Sequence, residues 1–152
     1  MNNKKLQIEQ LERKLKYFSS ATEVVPPPTG WIKAIRTTLG MSLQQLADKL
    51  SITRQGMQQI EQRESEGSIT IRSLRETANA LDMDLVYGLV PKDGSLEALI
   101  EKRAHDLAAR IVSRTSYSMK LEDQENSRER LQKAMEERVV ILKNDLPKVL
   151  WD

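Results

Sequence analysis

The chain has 152 residues, 39% of them hydrophobic and 30% charged, with a formal net charge of +2. That balance suits a soluble protein of one domain or one domain with extensions, and with one Phe, two Trp and three Tyr its core must be mostly aliphatic. The absence of cysteine excludes disulfides and thiolate metal sites, and a single histidine leaves little material for a zinc site or a histidine-based triad. The positive excess lies in the first thirty residues. A partner of opposite charge would therefore have to meet a locally basic face.

No apolar run is long enough to cross a bilayer. The start, Met1-Asn2-Asn3-Lys4-Lys5, lacks the apolar stretch of a signal peptide, so a cytoplasmic protein is expected. Residues 6–18 place Ile8, Leu11, Leu15 and Phe18 on one stripe at helical spacing. A helix this short needs a surface to pack on. Pro26-Pro27-Pro28 and Gly30 then read as an extended arm or linker.

Residues 31–81 predict four short helices. The first, Trp31 to Leu39, has Ile32, Ile35 and Leu39 as its apolar face, and Gly40 stops it. Ser42, with Gln45 three residues on, predicts a capping box for a second helix that buries Leu43, Leu46, Ala47 and Leu50. Thr53 caps a third that buries Met57 and Ile60. After a polar break at 65–68, the fourth buries Ile71, Leu74, Ala78 and Leu81. Residues 84–90, Asp-Leu-Val-Tyr-Gly-Leu-Val, predict a strand. A lone strand has unpaired backbone groups on both edges. Antiparallel pairing of Leu85, Val86, Tyr87, Leu89 and Val90 with a second copy would satisfy one of them; a short extended tail packed on the helices is the competing reading.

Beyond Pro91, Ser95 caps a predicted helix with a stripe of Leu96, Leu99, Ile100, Ala104, Leu107, Ala108 and Ile111. The polar stretch 113–118 predicts a break. A last helix over about 127–143 buries Leu131, Met135 and Leu142, and Val149, Leu150 and Trp151 form an apolar tail.

The stretch Leu43 to Glu61 carries the functional signal. Two short helices are joined by a tight turn at Ser51-Ile52, with the small Ala47 at their contact. The second helix exposes Arg54, Gln55, Gln58, Gln59 and Gln62. Arginine can bond guanine O6 and N7, and glutamine can bond adenine N6 and N7, each with two hydrogen bonds. A helical hairpin with a merely solvated polar face has the same pattern, and the turn spacing favours the groove-reading alternative.

Residues 31–81 resemble the Cro/repressor-type helix-turn-helix family, through Leu46-Ala47, Ile52, Thr53, Met57 and Ile60-Glu61. The resemblance implies a mainly α, five-helix-type domain over 31–91 with one dimerising strand, flanked by an N-terminal arm (1–30) and a helical partner-binding extension (92–152). It also implies a buried salt bridge between Arg36 and Glu61. Arg54, Gln55 and Gln59 match base-contacting positions, and Ser42 and Thr53 match phosphate-contacting ones. Gln44, Gln58 and Arg63 complete the candidate DNA-binding set. Leu43 and Ser51 depart from the family, which often has a phosphate-binding glutamine and a turn glycine there, and Gln44 or Lys49 can substitute for the glutamine.

Further segments, among them Trp31-Ile-Lys-Ala-Ile-Arg36, Asp84 to Pro91, Leu121-Glu-Asp-Gln124 and Leu150-Trp-Asp152, resemble the family named mobile mystery protein A. Members of that family resemble antitoxins and accompany a protein with a Fic domain, an enzyme type that commonly transfers AMP from ATP to a hydroxyl. The resemblance thus implies a homodimeric, autoregulating repressor and antitoxin with operator DNA and a Fic-domain toxin as partners. Known Fic inhibitors present Ser/Thr-x-x-x-Glu-Gly/Asn on a helix. The nearest match is Ser118 to Glu122, followed by Asp123 where the motif has Gly or Asn; a helix cap followed by solvated acids is the competing reading. Neither a nucleophile–base constellation nor a glycine-rich phosphate loop occurs, and the acids at 122, 123 and 125 lack metal-loop spacing, so no enzyme, cofactor or metal is expected. The alternative is a protein-interaction module that neutralises a partner without binding DNA.

Overall fold

A computed structural model describes residues 3–119 and 124–152, with side chains outside 115–127. Among the described residues there are seven α-helices: α1 (Asn3–Lys16), α2 (Trp31–Thr38), α3 (Leu43–Lys49), α4 (Arg54–Glu66), α5 (Ile71–Ala80), α6 (Leu96–Met119) and α7 (Gln124–Asp145). Two short 3-10 turns, Ser19–Glu23 and Lys148–Trp151, accompany them. The chain forms two compact units. One is Ala21–Gly88; the other joins the segment up to Ser20 with the segment from Leu89 onward.

In the Ala21–Gly88 unit, helices α2 to α5 close around Ile32, Leu46, Ala47, Met57 and Leu81. Ile35, Leu43, Leu50, Ile52, Ile60 and Leu74 pack against this cluster. The helix starts follow their caps. Ser42 Oγ accepts from Gln45 N while Gln45 Oε1 accepts from Ser42 N, the reciprocal capping box. Thr53 Oγ1 accepts from Gly56 N, and Thr70 Oγ1 from Ser73 N. The ends repeat one left-handed closure, in which a residue two or three past the helix donates to the carbonyl five positions back, in its last turn: Met41 N to Arg36 O, Ile52 N to Ala47 O, Ser68 N to Arg63 O and Met83 N to Ala78 O. Two apolar positions at the margins of the periodic pattern are not buried: Leu39 and Ile71 are exposed. Thr77 is buried instead, its hydroxyl donating to Ser73 O at 2.8 Å.

The expected strand over 84–90 is absent: among the described residues no strand forms, and this segment has no regular structure. A strand exists only through a ladder of backbone hydrogen bonds, and none of the described residues supplies its other half. Val86, Tyr87 and Leu89 are exposed, while Leu85 and Val90 are half-buried.

In the other unit, α6 and α7 form an antiparallel hairpin: Lys143, near the end of α7, lies 3.7 Å from Glu101, near the start of α6. Their shared core is Ile100, Ala104, Leu107, Ala108, Val139, Leu142 and, from the apolar tail, Leu150. The break expected near 113–118 does not occur; α6 runs on to Met119. Glu122 lies outside the described residues, as does the side chain of Ser118. Leu146 ends α7 in the left-handed region at φ 46° and still reaches the core, and Pro147 follows, where a helix cannot continue.

Helix α1 supplies both helix ends of the hairpin with complementary groups. Lys4 Nζ donates to Asp145 O at the C-terminus of α7, and Glu12 Oε1 accepts from Glu97 N at the N-terminus of α6. A cation thus meets the negative end of one helix dipole and a carboxylate the positive end of the other. Ile8 is the residue of α1 that packs on the core; Leu6 and Leu11 are exposed.

Candidate nucleic-acid interface

The interface is built from the interior outward. Arg36 of α2 and Glu61 of α4 meet as a fork: Nε donates to Oε2 at 2.6 Å and Nη2 to Oε1 at 3.0 Å. Arg36 Nη1 also donates to Met41 O at 3.0 Å, which ties the connection between α2 and α3 to the same group. The hydrogen bonding by Glu61 raises the Arg36 pKa above its ordinary value against the opposing effect of burial, and the Glu61 charge adds to the rise. The guanidinium is therefore charged at any working pH, and both carboxylate oxygens are satisfied.

A second contact joins the same two helices. Glu64 Oε1 accepts from Ile32 N at 2.8 Å. Helix α2 begins at Gly30 without a side-chain cap of its own, so a carboxylate one turn along α4 performs that task from a distance. Gly30 is required twice over. Its φ is +89°, and a Cβ there would lie 2.6 Å from Glu64 Oε1. Sequence reasoning missed Glu64. The available signal was a helix start that lacks Ser, Thr, Asp or Asn.

With Met57 and Glu61 buried and Ile60 and Glu64 half-buried, the rest of α4 must face outward. At the turn angle of an α-helix, Arg54, Gln58, Gln62, Gln55, Gln59 and Arg63 fall in that order across an arc of about 180°. All six are exposed. Arg54, Gln55, Gln58 and Gln59 have no side-chain hydrogen bond within the described residues, so their donors and acceptors are available. Gln62 Nε2 donates to Glu66 Oε1, and on α3 Gln44 Nε2 donates to Asp48 Oδ1 at 2.8 Å; both are exposed bonds that water or a ligand can exchange. Ser42 and Thr53 spend an oxygen lone pair on their caps and keep the O–H to donate. The turn between α3 and α4 places Ser51 at φ 55° and lays Ile52 against the core, which fixes where α4 begins.

The family model described as helix-turn-helix matches residues 32–87. This segment is a helix-turn-helix domain. It is of the Cro/repressor-like kind, and it makes the protein a DNA-binding regulator. Neither the curated proteins nor the solved structures provide a match to the chain. Among the described residues, no helix is long and apolar enough to cross a membrane.

Gly56, inside α4, has a local explanation. A Cβ at this position would lie 3.2 Å from Thr53 Oγ1, so glycine leaves room for the cap that starts α4.

Proposed function

We propose that the helix-turn-helix domain inserts α4 into the DNA major groove, with Arg54, Gln55, Gln58 and Gln59 reading base edges. Ser42, Thr53, Gln44 and Arg63 hold the phosphates on either side. The observation that carries this reading is the arc of uncommitted bidentate groups on α4, backed by two polar contacts to α2. Arginine and glutamine on one exposed helical face match guanine and adenine edges. The protein carries no catalytic role in this reading and needs no cofactor. It works in the cytoplasm as a homodimer, repressing its own operon. Pairing of the segment Leu85, Val86, Tyr87, Leu89 and Val90 with its copy would give the expected strand. Recognition helices would then lie one DNA turn apart, roughly 34–36 Å, on a near-palindromic site.

The test is selection of duplexes from a randomised pool, followed by titration of Arg54→Ala. The variant should lose about 1–3 kcal/mol and relax one base preference. Equal weakening on every sequence would remove the base-reading role of Arg54.

The antitoxin role is a finer proposal. It is supported by the resemblance of the flanking segments and by a separate helical unit that exposes Val140, Ile141, Val149 and Trp151, residues suited to a protein partner. In this reading the unit holds a Fic-domain toxin, with Ser118 and Glu122 nearest its active site. Co-expression of Glu122→Gly with the toxin tests the assignment. Continued neutralisation would clear Glu122 of an inhibitory role.

A further inference from the structure

Helix α6 segregates its charges. Arg103, Arg110 and Arg114 recur at i, i+7 and i+11, which puts them within roughly 40° of one line along the helix. All three are exposed, and none has an ion pair within the described residues. Three other cations of the unit are engaged. Lys102 lies 3.6 Å from Asp93, Lys143 lies 3.7 Å from Glu101, and Lys4 donates to the end of α7. The acid Glu101 falls on the far flank, beyond the buried stripe, and Glu97 lies in line with that stripe at the start of the helix. Asp106 is the single acid of α6 near the arginine line within the described residues.

The line is about 16 Å long, with steps of about 10 Å and 6 Å. One strand of duplex DNA presents a phosphate about every 3.4 Å of axis, so each guanidinium can find its own. Among the described residues, α6 exposes no large apolar side chain. From Leu96 to Arg114 this flank therefore has the polar, positive character of DNA-binding surfaces, not the apolar centre of a protein interface. Arginine also bonds phosphate oxygens in pairs, where lysine acts as a point charge.

We propose that Arg103, Arg110 and Arg114 form a second phosphate-contacting surface for double-stranded DNA, which adds affinity without sequence choice. The proposal rests on the DNA-binding reading above. Its test is the full chain titrated with a duplex that the unaltered protein selects from a randomised pool, over a range of KCl concentrations. The triple variant Arg103→Gln, Arg110→Gln, Arg114→Gln should flatten the slope of log K against log salt by about 0.9 per lost contact, close to 2.7 in all, with the selected sequence unchanged. The corresponding triple lysine variant should keep most of the slope, and circular dichroism should show both variants as helical as the original. An unchanged slope in the glutamine variant, or an equal loss in the lysine variant, overturns the proposal. Arg54→Ala on the same duplex shows separately whether the groove reading stands. If the unaltered protein shows no salt-dependent duplex binding, both fall.

Discussion

In the helix-turn-helix unit, α2 meets α4 through a buried guanidinium–carboxylate fork and a carboxylate on a backbone N–H. The α6–α7 hairpin is instead held by Ile100, Leu107, Val139, Leu142 and Leu150. Aliphatic stripes tolerate small slides and rotations, since dispersion has no direction. A bidentate fork plus a second hydrogen bond one turn away accepts one mutual orientation. In the DNA-reading proposal, these added polar contacts belong under the helix whose outer face is to be aimed. The apolar interior suffices where two helices need only stay together.

The contrast can be broken most sharply at Glu61. Glu61→Ala leaves the buried Arg36 charge without its partner and should cost about 3–5 kcal/mol, read by urea denaturation. The double variant Arg36→Met, Glu61→Leu should recover most of that stability and yet bind DNA less well, because volume is restored and direction is not. Recovery of full DNA affinity by the double variant would end the aiming argument. The raised Arg36 pKa adds a sign: its contribution is present throughout neutral and mildly alkaline solution and is lost only in strong alkali.

Leu150→Ala in the hairpin should cost about 3 kcal/mol through lost burial and a cavity, since the side chain is 1% exposed. Base preference should not change. Glu64→Ala should cost about 2 kcal/mol, the range of a hydrogen bond to a charged group, and Glu64→Gln should keep most of it because the amide oxygen still accepts from Ile32 N. The smallest effect is a gain. Ser51 sits at φ 55°, and Ser51→Gly should raise stability by about 1 kcal/mol in thermal melting.

The helix-turn-helix was legible because its signals are local. Ser42, Thr53 and Gly67 mark the helix boundaries, and Leu46, Ala47 and Met57 mark the core at helical spacing. What escaped depends on distant partners. Nothing near residue 64 announces that it caps a helix thirty-two positions earlier. Propensity predicts a break in the polar stretch from Ser113, and a 24-residue helix overrides it. Leu39 and Ile71 fit the apolar period and still face out, because a pattern gives a face and not its width. The segment at 84–90 has strand composition, but a strand needs a partner that composition cannot supply.

The placement of α1 sets an order of events. Lys4 finds its acceptor 141 positions later and Glu12 its donor 85 positions later, whereas the helix-turn-helix unit is one continuous stretch. At ribosomal speeds of about 5–20 residues per second, α1 waits on the order of ten seconds for the end of α7. The helix-turn-helix unit can close in that interval. Until the late hairpin arrives, Ile8 of this basic amphipathic helix stays uncovered, a natural hold for chaperones.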